Sequence, residues 1–132
     1  QARAAKQRLG EAGIDVVEQR TASVDTDSTG SAITIRLDYA KTTAGFDALG
    51  ERGTPAEDIG REAAETAWAF NAGNAAVDKH MADQLLLFLA LVGGQVSIPA
   101  VTDHIEAGRS LSAFGIEVSV DAYDDGTVRL RA

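Results

Sequence analysis

The stretch AVDKHMADQLLLFLALVGG, residues 76 to 94, constrains the fold more than any other. It runs from a polar cluster holding Lys79, His80, Asp83 and Gln84 into an almost unbroken apolar series that stops at Gly93-Gly94. A helix on a solvated surface would alternate its faces. A helix buried only for packing would rarely carry Asp and Gln one turn inside its start. From Met81 to Val92 the series is 12 residues long, well short of the ~20 needed to span a bilayer. The spacing predicts a core helix over about 77 to 92, ended by the glycine pair. Asp83 and Gln84 then stand where burial has to be offset by a partner.

Elsewhere the punctuation is clear. Residues 2 to about 12 read as an amphipathic helix with Ala5, Leu9 and Ala12 on one side. IDVVEQ (14–19) alternates like a short strand, and TASVDTDSTGS (21–31) is loop in composition. SAITIRLDYA (31–40) sets Ile33, Ile35, Leu37 and Tyr39 against Thr34, Arg36 and Asp38, the cleanest half-buried strand in the chain. TTAGFDALGERGTPAEDIG (42–60) contains Gly45, Gly50 and Gly53 ahead of a helix at about 55 to 71, and its LGERGTPAEDIG part reads as a turn before that helix. Thr54 is its expected N-cap, Pro55 its first residue and Glu57 the partner in a capping box. QVSIPAV predicts a short edge strand, since Pro99 has no N–H to give a ladder. Thr102 or Asp103 caps a helix expected from His104 to about Phe114. Ile116, Val118 and Val120 then alternate towards an Asp125-Gly126 turn, and Val128 and Leu130 alternate back as a hairpin. The predicted order is αββ(β)ααβαββ, an α+β fold of two-layer α/β sandwich type.

At 132 residues the chain makes one domain or two very small lobes. Helical pattern is already running at Ala2, so the chain reads as part of something longer. Its formal charge is −8, from 20 acidic and 12 basic residues, which argues against purely electrostatic capture of nucleic acid. That acid excess fits either a solvated, self-repelling surface or adaptation to high salt, where mobile ions screen the repulsion. The chain holds no cysteine, which excludes disulfides and thiolate metal sites. No signal-peptide pattern is visible, and a cytoplasmic protein is expected.

Two histidines are present, His80 and His104. His80 stands at the start of the core helix, with Asp83 and Gln84 three and four residues on, so all three can address one region. His104 follows VTD at a strand-to-helix turn, a place that lifts a side chain to the mouth of a site. Each histidine also has a plain reading as a satisfied polar residue near a helix end. A single Asp beside a Gln is a weak metal signature, because Mg²⁺ often takes one or two carboxylates plus substrate phosphates. These patterns alone allow a nucleotide or phosphate site and no more. LGERGTPAEDIG matches neither a P-loop nor a dinucleotide fingerprint. Trp68 and Phe70, on an alanine-rich helix, read as packing anchors before base-stacking ones.

The ordered set GERGTPAEDIGREAAE, AVDKHMADQLLLFLALVGG, a strand, a lone His, a helix and FGIEVSV resembles the carboxyl-terminal part of RNA 3′-terminal phosphate cyclases. The likeness covers nearly the whole chain and is strongest over residues 49 to 94. It implies that residues 1–74 belong to the family's small inserted domain and its connecting helix. Residues 75–132 would then be the last repeat of a catalytic domain, of βαβ type. It further implies an ATP-dependent enzyme, in which a histidine takes AMP from ATP and passes it to an RNA 3′-phosphate, and the neighbouring 2′-hydroxyl closes a 2′,3′-cyclic phosphate. On that likeness His104 matches the nucleophile. Asp83 matches the acid that helps hold a divalent metal (Mg or Mn), and His80, Asp83 and Gln84 line the nucleotide. An imidazole suits the role, being neutral near pH 7 and nucleophilic.

The sequence departs from the family pattern after His104, where HIEAGRSLSAFG carries Ala107-Gly108 in place of a Thr-Asn pair, and the helix is about one residue shorter. The likeness also implies that basic RNA-binding residues and another metal-binding acid lie outside these residues, so the fragment by itself is expected to be inactive. Two rival readings stay open. One is a non-catalytic relative acting in RNA binding or ribosome assembly, which would lack the histidine. The other is an unrelated acidic interaction domain.

Overall fold

The structure is a computed structural model that describes residues 1–27, 29–108 and 117–132. It is a mixed α+β chain whose strand pairs are all antiparallel. It divides into two units, Gln1–Asn71 and Ala72–Ala132, each built on its own apolar cluster.

In the first unit, α1 (Ala2–Glu11) is followed by a hairpin of β1 (Ser31–Asp38) and β2 (Thr43–Gly50), then by α2 (Ala56–Ala72). The register pairs Ile35 with Phe46, Ile33 with Ala48 and Leu37 with Ala44, so all six side chains share one sheet face. That face meets Ala5 and Leu9 of α1 and Ile59, Ala63, Ala64 and Ala67 of α2. Alanines at these α2 positions, each fully buried at 63, 64 and 67, let the helix lie close to the sheet. Phe70 closes the far end against Phe46, ring centroids 5.3 Å apart, as a packing anchor should.

One local expectation is resolved here and two change. Residues 43–50, an optional strand in the predicted order, form one: Ala44, Phe46 and Ala48 are turned inward in alternation, a period interrupted in the sequence by Gly45 and Gly50. Residues 14–19 form no strand: they join neither sheet among the described residues. Their alternation survives as packing, with Ile14 and Val16 turned towards the core. Helix α2 also starts one residue later than its capping-box pattern predicts. The Pro55 carbonyl accepts the N–H groups of Asp58 and Ile59 at 3.0 and 3.4 Å, which makes Pro55 the half-in residue.

In the second unit, α3 (Lys79–Val92) leads to β3 (Gln95–Ile98), α4 (Asp103–Gly108), β4 (Ser119–Ala122) and β5 (Val128–Arg131). The sheet order is β3-β5-β4, so β3 and β4 run parallel with β5 between them: a split βαβ unit, with β3 on the edge and ending just before Pro99. Gly93 and Gly94, both at positive φ (74° and 128°), let the chain leave α3 and enter β3 at once. The Asp125-Gly126 turn closes the β4–β5 hairpin. There the Thr127 hydroxyl and N–H both donate to Asp125, at 2.6 and 3.0 Å, holding that carboxyl below its ordinary range. The predicted helix end at 109–114, and Ile116, lie outside the described residues.

The apolar series of α3 is only partly core. Ala82 and Leu86 are buried with Ile98, Ile105, Val118 and Leu130, whereas Leu87, Phe88, Leu91 and Val92 are exposed. None of the helices among the described residues is long and apolar enough to cross a membrane.

Candidate functional site

The sequence-predicted residues all fall in the second unit, on α3 and on the turn that opens α4. Helix α3 is capped by Asp78, whose carboxylate accepts the Met81 N–H at 2.8 Å. The chain just before it is tied to the sheet, since the Ala76 N–H donates to both the carbonyl and the hydroxyl of Ser97 at 2.9 and 3.0 Å. The start of α3 is thus fixed against β3.

One turn in, Asp83 lies beside the buried stripe of Ala82 and Leu86 and is itself half-buried. Its partner is Thr102, whose hydroxyl donates to Asp83 Oδ1. The same hydroxyl accepts the Ile105 N–H at 3.2 Å, which makes Thr102 the cap of α4. Asp83 thus commits Oδ1 to the turn that opens α4.

His104 lies between Thr102 and Ile105, exposed on the first turn of α4, while Ile105 is fully buried. Asp83 and the His104-bearing turn are thus joined through one hydroxyl. His80 and Gln84 are exposed on α3 at i, i+4 spacing, and no hydrogen bond among the described residues links either of them to that turn. Thr102 was visible in the sequence as one of two possible caps; its bond to Asp83, 19 residues away, was not.

The departure at Ala107-Gly108 has a local packing consequence. A Cβ added at Gly108 would fall 2.2 Å from Leu86 Cδ2, so the glycine lets α4 close onto α3.

As a metal ligand Asp83 is an incomplete set. No group of three or more His, Asp or Glu side chains among the described residues could hold an ion. A single half-buried carboxylate does fit a hard cation that draws its other ligands from phosphates and water. The first unit supplies none of these groups. Its groove, about 400 Å³, runs between the 14–20 segment and β1, and neither histidine lines it.

A family model described as "RNA 3'-terminal phosphate cyclase (RTC), insert domain" matches residues 1–72. The chain belongs to the RNA 3′-terminal phosphate cyclase family. Among its curated relatives, RNA 3′-terminal phosphate cyclase of Halobacterium salinarum is 46% identical over 112 residues, 84% of this chain and 33% of that protein. The enzyme of that name from Thermococcus kodakarensis is 43% identical over 106 residues, 80% of this chain and 31% of its own length. That from Pyrococcus furiosus is 35% identical over 105 residues. This cyclase-family chain spans about a third of the length of the relatives it matches.

Proposed function

We propose that this chain is the carboxyl-terminal portion of an ATP-dependent RNA 3′-terminal phosphate cyclase, with residues 1–74 in its inserted domain and residues 75–132 as the last repeat of its catalytic domain. In this reading a ring nitrogen of His104 attacks the α-phosphorus of ATP. A P–N bond forms, the P–O bond to the β-phosphate breaks, and that electron pair leaves on pyrophosphate. An oxygen of the RNA 3′-phosphate then attacks the same phosphorus, the P–N bond breaks, and AMP is carried on the RNA end. The 2′-hydroxyl oxygen attacks the 3′-phosphorus, loses its proton, and expels AMP as the cyclic ester closes.

The observation that carries this reading is the Asp83–Thr102–Ile105 chain of hydrogen bonds, which fixes a carboxylate against the turn that bears the candidate nucleophile. The Asp83 carboxylate would help hold a divalent metal, with His80 and Gln84 on the nucleotide side of α3. Such a metal, when bound, would offset the charge of the phosphate oxygens during transfer. Under this reading the protein works in the cytoplasm, where ATP and RNA ends meet.

The test is to incubate the full-length protein with α-labelled ATP and Mg²⁺ or Mn²⁺. Acid-labile label is expected on the wild type and none on His104→Ala. Residues 1–132 alone are expected to take no label. A folded full-length protein that takes none would point instead to a non-catalytic cyclase-like role in RNA binding or ribosome assembly.

A further inference from the structure

We infer that Thr102 is a positioning residue for the proposed reaction, its hydroxyl holding the His104-bearing turn in register with Asp83. The inference rests on the cyclase reading above and gives Thr102, there a structural link, a role in the rate of the reaction.

A threonine hydroxyl has one proton to give and lone pairs to accept with. Thr102 uses both, donating to the Asp83 carboxylate and accepting the Ile105 N–H. The donated bond is charge-assisted, roughly twice as strong as a neutral one. Its geometry works in two directions. Towards α4 it closes the first turn, with Ile105 buried on the inner side and His104 exposed beside it. Towards α3 it holds the Asp83 carboxylate through Oδ1. One hydroxyl therefore ties that carboxylate to the turn that bears His104. Without it each element keeps its own backbone, but the tie between them is lost. In-line attack on phosphorus tolerates little displacement, and misplacement by about 1 Å costs about 100-fold in rate.

The experiment uses the full-length protein with α-labelled ATP and Mg²⁺, following the rate of covalent label against ATP concentration. Thr102→Val keeps the shape and removes the hydroxyl; Thr102→Ser keeps the hydroxyl. The expected result is an approximately 100-fold fall in the saturating labelling rate for the Val variant, with its ATP KM near wild type and its melting temperature lowered by loss of the α4 cap. The Ser variant should stay within a few-fold. A purely structural role would move melting temperature without this split. If the Val variant does not fold, Thr102→Ala replaces it with the same expectation. Hydrogen exchange of the Ile105 amide gives a readout independent of activity, and should rise about 10-fold in Asp83→Ala as the hydroxyl loses its anchor. A folded Val or Ala variant labelling at the wild-type rate, a Ser variant as slow as Val, or unchanged Ile105 exchange overturns the inference. An unlabelled wild type overturns the cyclase reading and this role with it; the two failures differ because only a failure of the Thr102 role leaves the wild type labelled.

Discussion

At Gly60, α2 passes so close to the start of α1 that an added Cβ would fall 2.2 Å from the Gln1 carbonyl oxygen. In an exposed helix interior Gly→Ala stabilises by about 1 kcal/mol. Here backbone has to move, so Gly60→Ala should reverse that sign and lower stability by about 1–3 kcal/mol, as overpacking does, measured by thermal melting. Gly108 is the milder case, because the atom in its way is the end of the Leu86 side chain, which can change rotamer. Asp83 shows how far residue-scale reading of a sequence reaches. A carboxylate at the mouth of an apolar helix announces that it needs a partner. Which partner it finds depends on chain separated by 19 residues, and no local pattern in VTDH points back to it.

At the scale of elements, α1 and α2 are joined by Arg8 and Glu65, a two-point pair whose second contact is 3.0 Å, with the guanidinium also lying 5.0 Å from the Trp68 ring. The Arg8 hydrogen bond holds the Glu65 carboxyl below its ordinary range, and Glu65 in turn raises Arg8. A depressed carboxylate contributes stability above its unfolded value, about 4.3, and loses it as pH falls through the lower folded value. The melting difference between wild type and Glu65→Gln should therefore hold steady from pH 7 to about pH 5 and shrink below about pH 4. A difference that does not change with pH would contradict the pairing. The cap of α3 gives a second check: Asp78→Ala should cost about 1 kcal/mol in denaturant unfolding. Elements whose periodicity is carried by side chains, such as β1, α2, α3 and the β4–β5 hairpin, could be read directly. Strand β2 could be read only as optional, because Gly45 and Gly50 carry turn preference while the deciding information is its pairing with β1. Residues 14–19 failed in the opposite sense: their alternation is real, but a strand is defined by a neighbour, and a single segment cannot show whether it has one.

The molecule as a whole carries a formal charge of −8 over two small units. Self-repulsion of that size weakens the compact state and is screened by salt, since the Debye length falls to about 3 Å at 1 M. Raising KCl from about 0.1 M to about 2 M should lift the melting temperature by on the order of 5 °C, roughly 1 kcal/mol; no rise would set aside adaptation to high salt.

Mass spectrometry of the adenylated full-length protein tests most directly whether the His104 imidazole carries the AMP. Trypsin leaves His80 and His104 on one peptide, residues 80–109, because no Lys or Arg lies between them until Arg109. Fragment ions must therefore assign the modified ring. The account predicts a single adenylyl group on His104, absent from His104→Ala. An adenylyl group on His80, or on a residue outside this peptide while His104 stays unmodified, would contradict it.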